Sequence, residues 1–150
     1  VIRLYRLTID SYYEGNFNQD ISEKYFDEIN KASHRHFTKG FFYNKPDEND
    51  QIYTTSSYIR NYDFIGIVKG YDEESKVATI EQRNRFFKGD EIEIFGNSKD
   101  FYTYIVSYME DEKGDEVEIA NRPKQILKIK IDLPLEEGDI LRKKIEEQKS

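Results

Sequence analysis

The sequence predicts a mainly β domain, a small antiparallel β-barrel that is closed or partly open, preceded by two short helices. Three observations carry this. Segments rich in Ile, Val, Tyr and Phe recur from residue 62 onward, separated by the turn-forming clusters 72–76, 96–100 and 111–115. Alternation at Ile92/Ile94, Tyr102/Tyr104/Val106 and Ile129/Ile131 gives strands with one buried face. The first thirty residues instead carry apolar side chains at three- and four-residue spacing.

In the first helix Val1, Leu4, Tyr5, Thr8, Ile9 and Tyr12 form one stripe, and Gly15 supplies the stop. Asp20 and Glu23 have capping-box spacing, and Ile21, Tyr25, Phe26 and Ile29 mark a second helix that ends near Ala32. From Ser33 the helical period vanishes. Phe37, Gly40, Phe41, Phe42, Tyr43 and Pro46 then lead to an acidic tip at 47–50, which reads as loop or edge strand.

Strands are expected at 62–71, 77–83, 91–95, 101–109, 116–120 and 126–131. Such short, evenly spaced strands close into a barrel or a sandwich. An internal echo favours the barrel: Lys88-Gly89-Asp90-Glu91-Ile92 returns as Glu137-Gly138-Asp139-Ile140-Leu141, a Gly-Asp turn that re-aims the chain into the sheet. The expected organisation is a helical lead-in at 1–33, a barrel at 34–142 and a charged tail at 143–150.

At 150 residues there is material for one core and a short appendage. Charged residues make up 35% of the chain, yet aromatics at 15% argue for a folded domain, because disordered chains are aromatic-poor. A net charge of -7 opposes nucleic-acid binding through the global field and leaves room for a local basic patch. With no cysteine, neither a disulfide nor a thiolate metal or iron-sulfur site can be built from these residues. No apolar run approaches the ~20 residues that span a bilayer, and no signal-peptide pattern is present. A cytoplasmic chain without a membrane partner is expected. The start at Val1 leads us to expect a piece of a longer protein.

The stretch Gln82-Arg83-Asn84-Arg85-Phe86-Phe87-Lys88 puts cationic and aromatic side chains together with no acid among them. Arginines pair with phosphates and a Phe offers a stacking face, as RNA recognition requires. Equally, Phe86 and Phe87 can plug a barrel end while Arg83, Arg85 and Lys88 neutralise acids, a reading favoured by Asp90, Glu91 and Glu93, which follow at once. His34-Arg35-His36 places two imidazoles on one side of an extended segment, but a metal site needs three or four ligands, so contacts at a junction or with a partner are expected. Tyr53, Tyr58, Tyr62 and Tyr71 flank Thr54-Thr55-Ser56-Ser57 with Arg60 nearby, which suits a recognition surface or a barrel rim. There is no nucleophile elbow, no convincing Ser/His/Asp order and no Gly-rich phosphate loop. The carboxylate pairs 73/74 and 111/112 lie in turns. Expected partner contacts are therefore Arg83, Arg85, Phe86, Phe87, Lys88, His34, Arg35, His36 and Arg60, with no catalytic, cofactor or metal residue.

KASHRHFTKGFF at 31–42, QIYTTSSYIRNYDFIGIV at 51–68 and IEQRNRFFKGDEIEIFG at 80–96, together with Pro123-Lys124-Gln125-Ile126 and Gly138-Asp139-Ile140-Leu141-Arg142, resemble the C-terminal region of peptidase family U32. The resemblance implies a parent named as a peptidase or collagenase, or one needed for hydroxylating the tRNA wobble uridine to 5-hydroxyuridine. It places the catalytic core upstream, in a TIM-barrel-like region whose signature contains a His, a Glu and several cysteines, the cysteines holding an iron-sulfur cluster, and none of that signature is present here. The first helix would then be the last of that upstream barrel. Small barrels with a basic aromatic loop also resemble the second domains of translation factors. The implied role is a non-catalytic, cofactor-free accessory domain that positions a tRNA or protein substrate, or docks on the upstream catalytic domain of the same chain. Two alternatives stay open: a protease domain in its own right, and a purely structural or oligomerising domain.

Overall fold

Two helices open the chain, each built on the three- and four-residue spacing and each closed by a local device. The computed structural model describes residues 1–34, 42, 43, 45, 59, 61–96 and 101–145. It divides into two units, Val1–Asn61 and Tyr62–Ser150. Helix α1 (Ile2–Tyr13) buries Leu4, whereas Tyr5, Ile9 and Tyr12 of the same stripe are exposed. Gly15, at φ +73°, lets the Asn16 and Phe17 N–H groups reach back to the Ser11 carbonyl at 2.9 and 3.0 Å. Helix α2 (Gln19–Asn30) is capped by Asn18, whose side-chain oxygen accepts the Ile21 N–H at 3.0 Å. The cap is thus Asn18 and not Asp20; Asp20 lies in the first turn, where its charge complements the helix dipole. The Ser11 and Tyr25 hydroxyls meet at 3.2 Å between the helices. His34 and Ile59 form an isolated antiparallel bridge.

The second unit is antiparallel β throughout. Its strands are β1 (Tyr62–Asp72), β2 (Val77–Gln82), β3 (Phe86–Phe87), β4 (Glu91–Phe95), β5 (Tyr102–Ile105), β6 (Met109–Asp111), β7 (Ile119–Ala120), β8 (Ile126–Lys130) and β9 (Ile140–Lys144). Seven of them form one sheet in the order β5-β4-β9-β1-β2-β8-β6, and β3 pairs with β7 alone. The sheet curls into a half-barrel, as expected of a partly open barrel; its two edges, β5 and β6, are consecutive in sequence and are not paired with each other. Tyr104 spans this side with a hydroxyl donated to the Lys130 carbonyl, and Tyr71 donates to the Ile131 carbonyl at 3.0 Å.

Curling requires the long strand β1 to bend, and its register shifts twice, between Phe64 and Gly66 and between Val68 and Gly70. At Gly66 a Cβ would lie 2.8 Å from Ile80 Cγ2, so only glycine lets β1 and β2 approach there. The concave face carries the core: Ile65, Val68, Ala78, Ile80, Ile92, Ile94, Leu127, Ile129 and Leu141, joined by Phe86 and Met109, are all inaccessible to solvent. Each large side chain among them contributes roughly 1.5–3 kcal/mol of transfer free energy.

The predicted strand at 101–109 is two strands. Val106 turns inward, donating its N–H to Asp90 and accepting that of Gly89, so that Met109 starts afresh on β8. The predicted strand at 116–120 shortens to β7, because Glu116 bridges Glu110 and the Val117 N–H goes to Met109.

The Gly-Asp echo is a structural repeat. Gly89 and Gly138 have φ of +93° and +94°. Asp90 and Asp139 each accept the N–H three residues earlier, from Phe87 and Glu136, at 2.8 Å. The two glycine N–H groups donate to Val106 and Val68, and those valines return N–H bonds to Asp90 and Asp139. The preceding residues at matching positions, Phe86 and Leu135, are both buried. After the two turns, β4 and β9 run antiparallel with Glu93 opposite Arg142, which are equivalent positions of the repeat. A local two-fold axis therefore passes between these two side chains.

Candidate functional site

The loop from Arg83 to Lys88 is held by its backbone at one end of β2. The Arg83 and Asn84 N–H groups share the Ile65 carbonyl at 2.8 and 3.4 Å, and the Asn84 side-chain amide donates to the Phe64 carbonyl at 2.6 Å. Alternation along β3 then separates the two phenylalanines. Phe86 faces the core and is fully buried, whereas Phe87 is half-buried. Phe86 thus plugs the core, and Phe87 keeps part of its ring at the surface.

Cations stand over that ring. Arg85 Cζ lies 5.5 Å from the Phe87 centroid, and Lys143 Nζ from β9 lies 5.5 Å from it. Acids compensate most of the surrounding charge. Arg83 pairs with Glu81 at 2.5 Å, Lys88 with Glu116 at 2.5 Å and Lys143 with Asp90 at 2.6 Å. The hydrogen bond that Lys88 donates to Glu116, then the charge of that carboxylate, raises the Lys88 pKa, so this amine stays protonated across the physiological range. Arg85 is exposed and makes no ion pair among the described residues. It presents a planar cation supported by an aromatic ring.

His34 lies in the first unit, with Nδ1 2.7 Å from the Ala32 carbonyl, which fixes Nδ1 as the protonated nitrogen. Arg35, His36 and Arg60 fall outside the described residues, as do Tyr53, Tyr58 and the segment 54–57. No group of three or more His, Asp or Glu with metal-binding geometry occurs among the described residues. The sequence holds no cysteine, so it offers no thiolate ligand to a metal or cluster.

The sequence reading missed a second arginine-aromatic cluster. Arg142 on β9 is 7% exposed. Its guanidinium lies 4.9, 4.7 and 5.1 Å from the ring centroids of Tyr62, Phe95 and Phe101. It donates to Glu93 through Nε at 2.7 Å and again through an Nη. The Tyr62 hydroxyl donates to the other Glu93 oxygen at 3.4 Å. This arginine is fully engaged inside the protein, and the repeat that sets Glu93 opposite Arg142 was the signal that could have found it. Nearby, Gly96 makes room for the buried carboxylate of Asp139, since a Cβ there would fall 1.9 Å from Asp139 Oδ1.

Comparison with known proteins agrees with this architecture. The model of the peptidase family U32 C-terminal domain matches residues 60–142, and that of peptidase family U32 matches residues 1–52. The tRNA hydroxylation protein P1 of Bacillus subtilis (strain 168) is 34% identical over 143 residues, 95% of this chain and 34% of that protein. The chain thus spans about a third of the length of that relative. Two crystal structures of the C-terminal domain of a Geobacillus thermoleovorans protein named for the U32 peptidases, one a selenomethionine variant, superpose with a TM-score of 0.53 each. They are 42% and 41% identical to this chain, cover 54% and 55% of it, and are themselves covered to 99% and 92%.

Proposed function

Because the chain belongs to peptidase family U32, with the family's C-terminal domain at residues 60–142, we propose that it is a non-catalytic accessory module that holds tRNA for a hydroxylation performed elsewhere in the protein. The observation that carries this reading is the Arg85–Phe87 contact, a guanidinium 5.5 Å from a ring centroid and left without an acid among the described residues. A base stacks on such a plane while neighbouring phosphates meet cations. The pairs Arg83–Glu81 and Lys88–Glu116 are solvated and of low strength, so a phosphate can exchange for either carboxylate. The relative named as a tRNA hydroxylation protein, rather than the peptidase name, sets the choice of partner. A tRNA partner implies a cytoplasmic setting; no helix among the described residues is long and apolar enough to cross a membrane. The exposed Tyr5, Ile9 and Tyr12 on α1, within the part matched to the U32 model, suit packing against further protein, which supports an accessory role.

The test is a low-salt anisotropy titration of labelled tRNA with the 150-residue chain. Arg85→Ala is expected to weaken binding about tenfold, the cost of roughly one stacked base. The same preparation should neither hydroxylate tRNA nor degrade gelatin. Absence of association at low salt removes the tRNA role and leaves docking on the rest of the protein as the function of this face; turnover of either substrate removes the accessory role.

A further inference from the structure

In a chain of net charge -7, two stretches hold no Asp or Glu: residues 82–89, with Arg83, Arg85 and Lys88, and residues 119–131, with Arg122, Lys124, Lys128 and Lys130. They are about 40 residues apart in sequence, and the strand register sets them side by side. Glu81 is opposite Ile126, the Gln82 N–H donates to the Gln125 carbonyl at 2.8 Å, and Phe86 is opposite Ala120. The turn at 122–125 therefore abuts the loop that carries Arg83 and Arg85. Arg122 and Lys124 are exposed, and neither has an acidic partner among the described residues. Glu81, already paired with Arg83, is the acid that the strand register brings closest.

The backbone of the second loop is unusual for a lysine. Gln125 closes the turn from both sides, its N–H donating to the Arg122 carbonyl at 3.0 Å and its side-chain oxygen accepting the Arg122 N–H at 3.3 Å. Pro123 takes the second position of this turn, and Lys124 takes the third at φ +59°, a place that favours Gly or Asn. A side chain carried at a backbone cost, where glycine would be easier, points to a use for the side chain.

We propose that Arg122 and Lys124 form a second phosphate-binding loop, so that the RNA contact of this domain is a two-loop cationic face in which the Arg85 plane receives a base and the 122–125 turn receives the adjoining backbone. This rests on the tRNA reading above and extends it to residues on a separate loop. An acidic protein segment could match the charge alone, but the stacking plane at Arg85 favours a nucleic acid.

Affinity of the 150-residue chain for tRNA is measured from 25 to 200 mM salt, for the unmodified chain, for Arg85→Ala and for Arg122→Ala/Lys124→Gly. Loss of two phosphate contacts should flatten the plot of log K against log salt by roughly 1.4 and weaken binding about tenfold at moderate salt. Lys124→Gly alone should weaken binding while leaving the thermal midpoint unchanged or raised, because glycine relieves the left-handed backbone. If the unmodified chain binds and Arg85→Ala weakens it, but the double variant keeps the original slope, the second loop is wrong and the tRNA reading stands. If the unmodified chain does not bind tRNA, both fall; capture of a polyglutamate peptide in its place would assign the face to an acidic protein.

Discussion

Arg85 and Arg142 are both arginines set on aromatic rings, and they have opposite fates. Arg142 is enclosed by Tyr62, Phe95 and Phe101 and neutralised by Glu93, so its hydrogen-bonding capacity is spent inside the protein. Arg85 rests on Phe87, faces solvent and lacks an acidic partner among the described residues. Desolvation is the difference. A guanidinium taken out of water must find a carboxylate and rings in good geometry, and it then serves the fold. One left in water gives little to stability and keeps its donors for a ligand.

Replacing each arginine by alanine probes this contrast most strongly. Arg142→Ala removes a buried guanidinium and the charge that neutralises the half-buried Glu93, and should cost about 3 kcal/mol in urea unfolding, while Arg85→Ala should cost less than about 0.5 kcal/mol. Equal losses in the two variants would abolish the distinction. Gly96→Ala sharpens the picture of the enclosed side, because the new methyl collides with Asp139. A loss of about 2 kcal/mol is expected. The penalty should shrink when Asp139 is also replaced by alanine; additivity of the two changes in a double-mutant cycle would refute the collision.

The smallest effect belongs to a carboxylate held in water. Asp72, at the tip joining β1 and β2, accepts from the Ser75 hydroxyl at 2.6 Å and from the Glu74 N–H at 3.0 Å. The Ser75 hydroxyl bond, with the two backbone bonds after it, lowers its pKa below the ordinary 3.8. A depressed folded-state value means that its contribution is complete above 3.8 and is lost as pH falls through the folded value. Asp72→Asn should slightly flatten the acid limb of stability against pH, and an unchanged limb would show that the tip bonds carry nothing.

Much of the architecture was legible because burial on one face imposes a period of two: Ile92/Ile94 and Ile129/Ile131 announce their strands directly. Two-residue strands such as β3 and β7 have no room for a period, so their pairing was not. The basic aromatic loop stood out by composition, but which phenylalanine would be buried depended on its register with Ala120. Arg142 precedes two lysines in a charged stretch, which reads as solvated, and only the covering rings, brought from three other segments, remove it from water. Arg122 and Lys124 acquire meaning through a strand pairing about 40 residues long in sequence separation, which no local pattern reports.

The position of β9 sets the order in which the domain can be completed. This strand lies between β4 and β1, so without it the sheet is two ribbons, β5-β4 and β1-β2-β8-β6. A ribosome delivers β9 after every other strand, and the nascent chain must keep the exposed edges of β1 and β4 from pairing elsewhere until residues 140–144 emerge. Closure then depends on contacts between the first and last strands of the barrel, so removal of residues 140–144 would leave the sheet in two pieces.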